Sequence, residues 1–278
     1  EAEIDAFKPV PFYSVALDLP SFTAASTRMD KKADAEQLKT ACQGGTVTVK
    51  QIECKAKTEK PPALYDLTTL QRDANRLLGF TAQQTLDYLQ NLYEKKLCTY
   101  PRTDSRYLTS DMAEGLPVAN AMPFRKGIAI SCDASAVIND KKVTDHHAVI
   151  PTRNIREADL TALPVGERAI LELVALRLLC AVAQPYTFAE TAVVVECAGA
   201  EFTAKGRTVK QPGWRALDAA YRASMKSAPD QDGNSEDKAL PELSEGQELP
   251  VAGAAVKEGK TTPPKHFTDV IFCERKEW

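Results

Sequence analysis

At Lys60-Pro61-Pro62 the chain changes its hydrophobic period. Upstream, residues 1–20 and 46–58 ("TVTVKQIECKAKT") alternate and are rich in β-branched residues, the pattern of half-buried strands. The prolines hold the joint extended, and the pattern beyond them is helical. Strand character returns at 187–197 ("TFAETAVVVEC") and 201–208 ("EFTAKGRT"), a hairpin with Gly199 in its turn, and again from 246 ("GQELPVAGAAVKEGKTTPPKHFT") before a proline-rich exit. A chain that is β, then helical, then β again is of the α+β class. Its simplest form is a discontinuous β-rich domain carrying an inserted, mainly helical domain. The expected divisions are 1–63, first β-rich part; 64–157, helical; 158–262, second β-rich part; and 263–278, an exit segment.

Local signals place the helices. "KKADAEQLKTAC" (31–42) consists mostly of helix formers and ends at Gly44-Gly45. Two capping boxes, Thr68-x-x-Gln71 and Thr81-x-x-Gln84, open a helix pair, and Gly79 fits the position just past the first. The second helix, "TAQQTLDYLQNLYEKKLC", sets Leu86, Leu89, Tyr93 and Leu97 on one core-facing stripe. It should stop near Tyr100, because Pro101 disfavours the helical region for the residue before it. "TSDMAEGL" reads as a short helix. Residues 165–183 ("VGERAILELVALRLLCAVA") are apolar on most sides and read as a buried helix. Residues 226–240 ("KSAPDQDGNSEDKAL") read as a flexible loop.

Composition narrows the function. With 278 residues the chain can bury a real core, and it has no apolar run long enough to span a membrane. It begins without Met, in mid-pattern and without a signal peptide, as a piece of a longer protein would. Seven cysteines at irregular spacing, none in Cys-x-x-Cys, suggest reduced thiols in a cytoplasm and no zinc site. A net charge of −3 does not by itself suggest a nucleic-acid binder. Residues 94–107 nevertheless set Lys95, Lys96, Arg102 and Arg106 against only Glu94 and Asp104. No Asp-x-Asp metal cluster lies near a strand end, and no glycine-rich phosphate loop or Gly-x-Ser-x-Gly elbow is present.

Three stretches can carry chemistry. "CTYPRTDSRYL" (98–108) concentrates two tyrosines, two arginines and an aspartate. A tyrosine hydroxyl is a possible covalent nucleophile, but its ordinary pKa of about 10 means it needs a cationic neighbour. In an extended stretch, alternate residues share a face. Tyr100 and Arg102 could then address one phosphate, with Asp104 and Arg106 orienting Arg102 or holding the next phosphate. Tyr107 falls on the opposite parity and suits packing. Spacing alone still favours a polar turn slightly. "TDHHAVIPT" (144–152) holds two of the three histidines, His146 and His147, beside an acid. They suit phosphate contact or proton transfer, though the pattern fits a solvated pair better. Gln90 and Glu94 lie four apart on one helix face, off the leucine stripe, and could face the tyrosine or only solvent.

Taken together and in order, these stretches resemble the type IA DNA topoisomerases. "LCTYPRTDSRYL" is similar to that family's active-site segment, most like the bacterial topoisomerase III version. "ALYDLTTLQRDANRLLGFTAQQTLDYLQNLYE" is similar to its helical lead-in, "DHHAVIPT" to its His-x-Ala-[Ile/Val]-x-Pro motif, and "TTPPKHFT" to its Pro-Pro-Lys exit. The resemblance covers roughly 60–268. It implies a β-rich arch with an inserted helical domain bearing the nucleophile. Tyr100 would form a link to the 5′ phosphate of a broken single strand, and Arg102 would hold that phosphate. His146 would lie near it, and Gln90 and Glu94 would face the cleaved strand. Thr99, Asp104 and Arg106 are further candidates for DNA or phosphate contact. No cofactor is implied for this stretch itself. The family's Mg²⁺ belongs to a Toprim domain that this chain would lack, and that domain, the following ones and single-stranded DNA are the implied partners. The implied setting is the cytoplasm, at the nucleoid, and the piece alone would be inactive. A clamp that binds single-stranded DNA without chemistry is the other reading. Relaxases and tyrosine recombinases need histidine and arginine patterns that this chain lacks.

Overall fold

The computed structural model describes residues 6–115, 121, 132–225 and 239–263. They fall into two compact units, and the chain passes between the units more than once.

Unit 1 comprises the described residues up to 58 together with 187–210 and 239–263. It is built on a seven-stranded sheet. In chain order the strands are β1 (Pro11–Asp18), β2 (Thr23–Ser26), β3 (Thr46–Glu59), β4 (Tyr186–Cys197), β5 (Ala200–Gln211), β6 (Glu248–Pro250) and β7 (Gly253–Lys260). Their spatial order is β6-β3-β4-β5-β2-β1-β7. β1 pairs antiparallel with β2 and β7, opposing Val15 to Val256 and Ala16 to Ala25. The hairpin expected around Gly199 is present. Ala198 and Gly199 have φ of 50° and 80°, the pair of positive values a two-residue type I′ turn requires. Helix α1 (Lys32–Cys42) sends Ala35 and Cys42 into a core with Val15, Leu17, Val47, Val195 and Phe202.

Unit 2 comprises residues 59–186 and 211–225. Its helices are α2 (Leu67–Leu78), α3 (Ala82–Glu94), α4 (Val165–Ala181) and α5 (Gly213–Ser224). α4 buries Ile170, Leu171, Leu173, Val174, Leu178 and Leu179, and packs against α2, α3 and α5. A helix apolar on most sides needs cover on most sides, and three helices supply it. The units therefore divide near 58, 186 and 210, not at 63 and 157: α4, expected within the second β-rich part, is the centre of the helical unit. Polar ties orient it. Arg177 bonds to Asp73 and to the hydroxyl of Tyr65, which donates to Asp73 at 2.8 Å. Burial pushes the Tyr65 phenol well above its ordinary pKa, so it stays a donor. Glu167, nearly enclosed, accepts from Asn91 at 3.1 Å and from Lys95. α5 begins at Gly213 with φ of 46°, where a Cβ would lie 2.3 Å from the Pro185 carbonyl oxygen.

Some local expectations need correcting. α2 is capped by Asp66, which accepts from Thr69 N at 2.7 Å in a capping box, and not by Thr68 with Gln71. Gln71 instead donates to Ala82 O at 2.9 Å and ties α2 to α3. The Thr81–Gln84 box and the left-handed Gly79 are as expected. On α3 the buried residues are Thr85, Leu89 and Leu92, while Leu86 is half-buried and Tyr93 is exposed. The helix ends at Glu94, six residues before Tyr100. Lys96 takes φ of 59°, Lys96 N donates to Tyr93 O at 2.8 Å, and Leu97 N donates to Leu92 O at 2.8 Å. This is a Schellman closure, and Leu97 and Leu92 are both buried beside it. The short helix expected at "TSDMAEGL" is a 3₁₀ segment, Ser110–Gly115. The loop 226–238, the Pro-Pro-Lys exit from 264 onward and Cys273 lie outside the described residues. Among the described residues, no helix is long and apolar enough to cross a membrane.

A side chain with a Cβ in the left-handed region costs roughly 1 kcal/mol. Lys96→Gly should therefore raise the unfolding free energy of the chain by about 1 kcal/mol, read as a higher urea midpoint at unchanged slope. A lower midpoint would show that Lys96 is not strained.

Candidate active site

The site is built within unit 2, where residues 97–108 run extended beside 138–152. Isolated bridges join Cys98 to Pro151 and Leu108 to Ile138, and Val149 also bridges to Tyr65. Thr152 N donates to Leu97 O at 2.9 Å, Thr99 N to Ile150 O at 3.0 Å, and Ala148 N to Tyr107 O at 3.0 Å. Hydroxyl groups fill in where no regular ladder forms. Thr99 Oγ1 donates to Ala148 O at 3.1 Å and accepts from Ile150 N at 3.0 Å. Thr103 Oγ1 donates to His146 O at 3.0 Å and accepts from Ser105 N at 3.1 Å. Ser105 Oγ donates to Lys142 O at 2.8 Å.

This stitching sorts the side chains by parity. Pro101, Thr103 and Ser105 are buried, whereas Arg102 and Asp104 are exposed and Tyr100 and Arg106 are half-buried. Tyr100, Arg102, Asp104 and Arg106 thus share the outward parity, as the spacing suggested. Thr99 does not present a free hydroxyl for a phosphate, since backbone groups occupy it on both sides. Tyr107 is half-buried, with its hydroxyl 3.5 Å from Lys142 Nζ and that ammonium 4.9 Å from its ring centre.

Among the described residues, the Tyr100 ring has two aromatic neighbours. His146 lies against it with ring centres 4.1 Å apart and planes 34° apart. Tyr93 meets it near-perpendicular, at 5.5 Å and 83°. Of the adjacent histidines it is His146 that reaches the tyrosine; His147 Nδ1 lies 2.8 Å from Ala148 O. Gln90 and Glu94 hydrogen-bond to each other at 3.0 Å on α3. Among the described residues, no hydrogen bond or ring contact joins either to Tyr100. Burial pushes the Cys98 thiol far above its usual range. This neighbour is therefore a packed thiol and not a competing nucleophile.

Beside the tyrosine segment lies an open concavity of about 510 Å³, lined by Asp66, Leu67, Thr68, Arg102, Thr103, Asp104 and Arg106. It includes the N-terminus of α2, where Leu67 N donates to Thr103 O at 3.2 Å. Arg106 Nε donates to Asp66 Oδ2 at 2.6 Å. Asp66 therefore holds the helix cap with one oxygen and Arg106 with the other. Arg106 is anchored there, while Arg102, which also lines the concavity, is exposed. Among the described residues, no group of three or more His, Cys, Asp or Glu could hold a metal ion. Asp66 and Tyr93 were not expected here. An Asp just before a helix start was the available signal for the first. For the second it was that Leu92 completes the stripe from Leu89 as well as Tyr93 does.

Comparison with known proteins gives a consistent picture. A family model described as "DNA topoisomerase" matches residues 1–271. The chain is 37% identical over 299 residues to DNA topoisomerase 3 of Bacillus subtilis, covering 100% of this chain and 40% of that protein. It is 34% identical over 290 residues to DNA topoisomerase 3 of Shouchella clausii, covering 97% of this chain and 38% of that protein. The chain thus spans about 40% of the length of such relatives. Full-length topoisomerase I from Thermotoga maritima has the same fold over 99% of this chain and 45% of its own, with a TM-score of 0.74 at 22% identity.

Asp66→Ala removes a helix cap and frees Arg106, and should cost the chain about 2 kcal/mol. Asp66→Ser keeps a cap oxygen and should recover about half of that. Urea unfolding of both variants tests this, and equal stability of the two would rule out the dual role.

Proposed function

The chain belongs to the type IA DNA topoisomerases, as a topoisomerase III-like member, and from that premise we propose that Tyr100 is the residue through which the whole protein breaks and rejoins one DNA strand. Tyr100 Oη bonds to a backbone phosphorus, and the bond from that phosphorus to the 3′ oxygen breaks. The phenol loses its proton and the departing 3′ oxygen gains one. The 5′ end stays attached through a phosphotyrosine, another strand passes, and the reverse attack restores the DNA. One phosphodiester is exchanged for another, so the cycle needs no nucleotide.

The observation that carries this reading is the outward face of 98–108. There a half-exposed tyrosine lies against His146 and shares its parity with the exposed Arg102. A guanidinium favours phenolate formation and neutralises charge developing on the phosphate. Arg102 fills both roles, and His146 contacts the phosphate from the ring side. Asp104 borders the same face. Gln90 and Glu94 line the path of the cleaved strand from α3. The substrate is single-stranded DNA, met inside the cytoplasm at the nucleoid. Mg²⁺ belongs, on this reading, to a Toprim domain outside this chain.

Incubation of the full-length protein with a 3′-labelled single-stranded oligonucleotide tests the assignment. Wild type should retain label after denaturation, and Tyr100→Phe should retain none while still binding DNA. A covalent adduct in that variant would remove Tyr100 from the role. The 278-residue chain alone should not relax supercoiled plasmid in the presence of Mg²⁺, and robust relaxation would show it to be self-sufficient.

A further inference from the structure

We infer that Tyr93 is a positioning residue for the reaction, holding the Tyr100 ring in its attacking orientation through ring-to-ring contact. The inference rests on the reading of Tyr100 as nucleophile and adds a residue that the tyrosine segment does not contain. Tyr93 is 39% exposed, one of four large apolar residues left exposed among the described residues. The core does not need it: Leu89 and Leu92 supply the buried face of α3 and are fully enclosed. Its ring is nevertheless engaged, near-perpendicular to Tyr100 at 5.5 Å, a geometry that aromatic pairs favour.

The backbone around Tyr100 explains why a ring contact matters. Thr99 is bonded through its amide and its hydroxyl to residues 148 and 150, and Pro101 is buried on the other side. The main chain is fixed, and the remaining freedom of Tyr100 lies in its two side-chain torsions. His146 lies against the ring at 4.1 Å with its plane tilted by 34°, and Tyr93 meets it near-perpendicular at 83°. Two neighbours in different planes narrow both torsions. Tyr93 is itself carried on the last turn of α3, and the Lys96–Leu97 closure sets where that turn ends relative to Thr99. Orientation of this kind is worth a large factor in rate, because a displacement of about 1 Å at a reacting atom can cost about 100-fold.

The experiment compares full-length wild type, Tyr93→Leu, Tyr93→Phe and Tyr100→Phe on a 3′-labelled single-stranded oligonucleotide. Single-turnover adduct formation is measured at saturating protein, and affinity by fluorescence anisotropy in the same samples. Tyr93→Leu should slow adduct formation by about 10- to 100-fold and leave affinity unchanged, which also shows that the site is folded. Tyr93→Phe keeps the ring and should react like wild type. A wild-type rate in Tyr93→Leu overturns the inference. So does an equal loss in Tyr93→Phe, which would point to hydroxyl chemistry, or a matching loss of affinity in Tyr93→Leu, which would point to a direct DNA contact. Adduct persisting in Tyr100→Phe overturns the nucleophile assignment and this inference with it. Its absence there, beside a wild-type rate in Tyr93→Leu, overturns the inference alone.

Discussion

The candidate site depends on how residues 97–108 satisfy their backbone hydrogen bonds. The segment leaves a helix and runs extended through the interior of unit 2 without joining a sheet. Peptide groups buried there must find partners. They find them in 138–152, partly through amides and partly through the hydroxyls of Thr99, Thr103 and Ser105. Each inward hydroxyl reaches a main-chain atom and fixes the outward residues beside it. The exposed chemistry of Tyr100 and Arg102 is therefore a product of the buried chemistry at the alternate positions.

That arrangement needs a rigid support, which the helices provide. α4 is the hub, with leucines enclosed by α2, α3 and α5. Charged groups tie the hub to the site. Glu167 holds Asn91 and Lys95 near the end of α3, and Arg177 holds Asp73 on α2. Asp66 then joins the start of α2 to Arg106. The tyrosine segment is fixed at one end by the closure of α3 and at the other by the cap of α2, both carried by the same core.

How much of this was legible depended on whether a signal was local. The face shared by Tyr100 and Arg102 follows from an extended period of two, and Pro101 made extension readable. The Thr81–Gln84 box and Gly79 carry their geometry in their residue types. The true cap, Asp66, was masked by Thr68-x-x-Gln71, which matches the same template two residues later. The end of α3 was misplaced because the left-handed residue is Lys96, where glycine would have marked it. Tyr93 was placed on the core stripe because positions four and three beyond Leu89 differ too little in pattern to separate it from Leu92. The membership of α4 in the helical unit was not readable, since a period shows that a helix is buried but not by which partners. The resemblance implies that Gln90 and Glu94 face the cleaved strand; the structure adds that they are bonded to each other on α3.

The alternation through 99–106 also constrains chain length. With a period of two, removing or adding one residue there would carry every following side chain to the other face. Arg102 or Asp104 would be driven toward the interior, and Thr103 or Ser105 would be turned outward, away from the carbonyls they serve. Substitutions on the outward face would leave the stitching in place, whereas a one-residue slip would undo it all at once. The segment is thus a ruler as well as a set of reactive groups, and variation in its chemistry is compatible with the fold only at constant spacing.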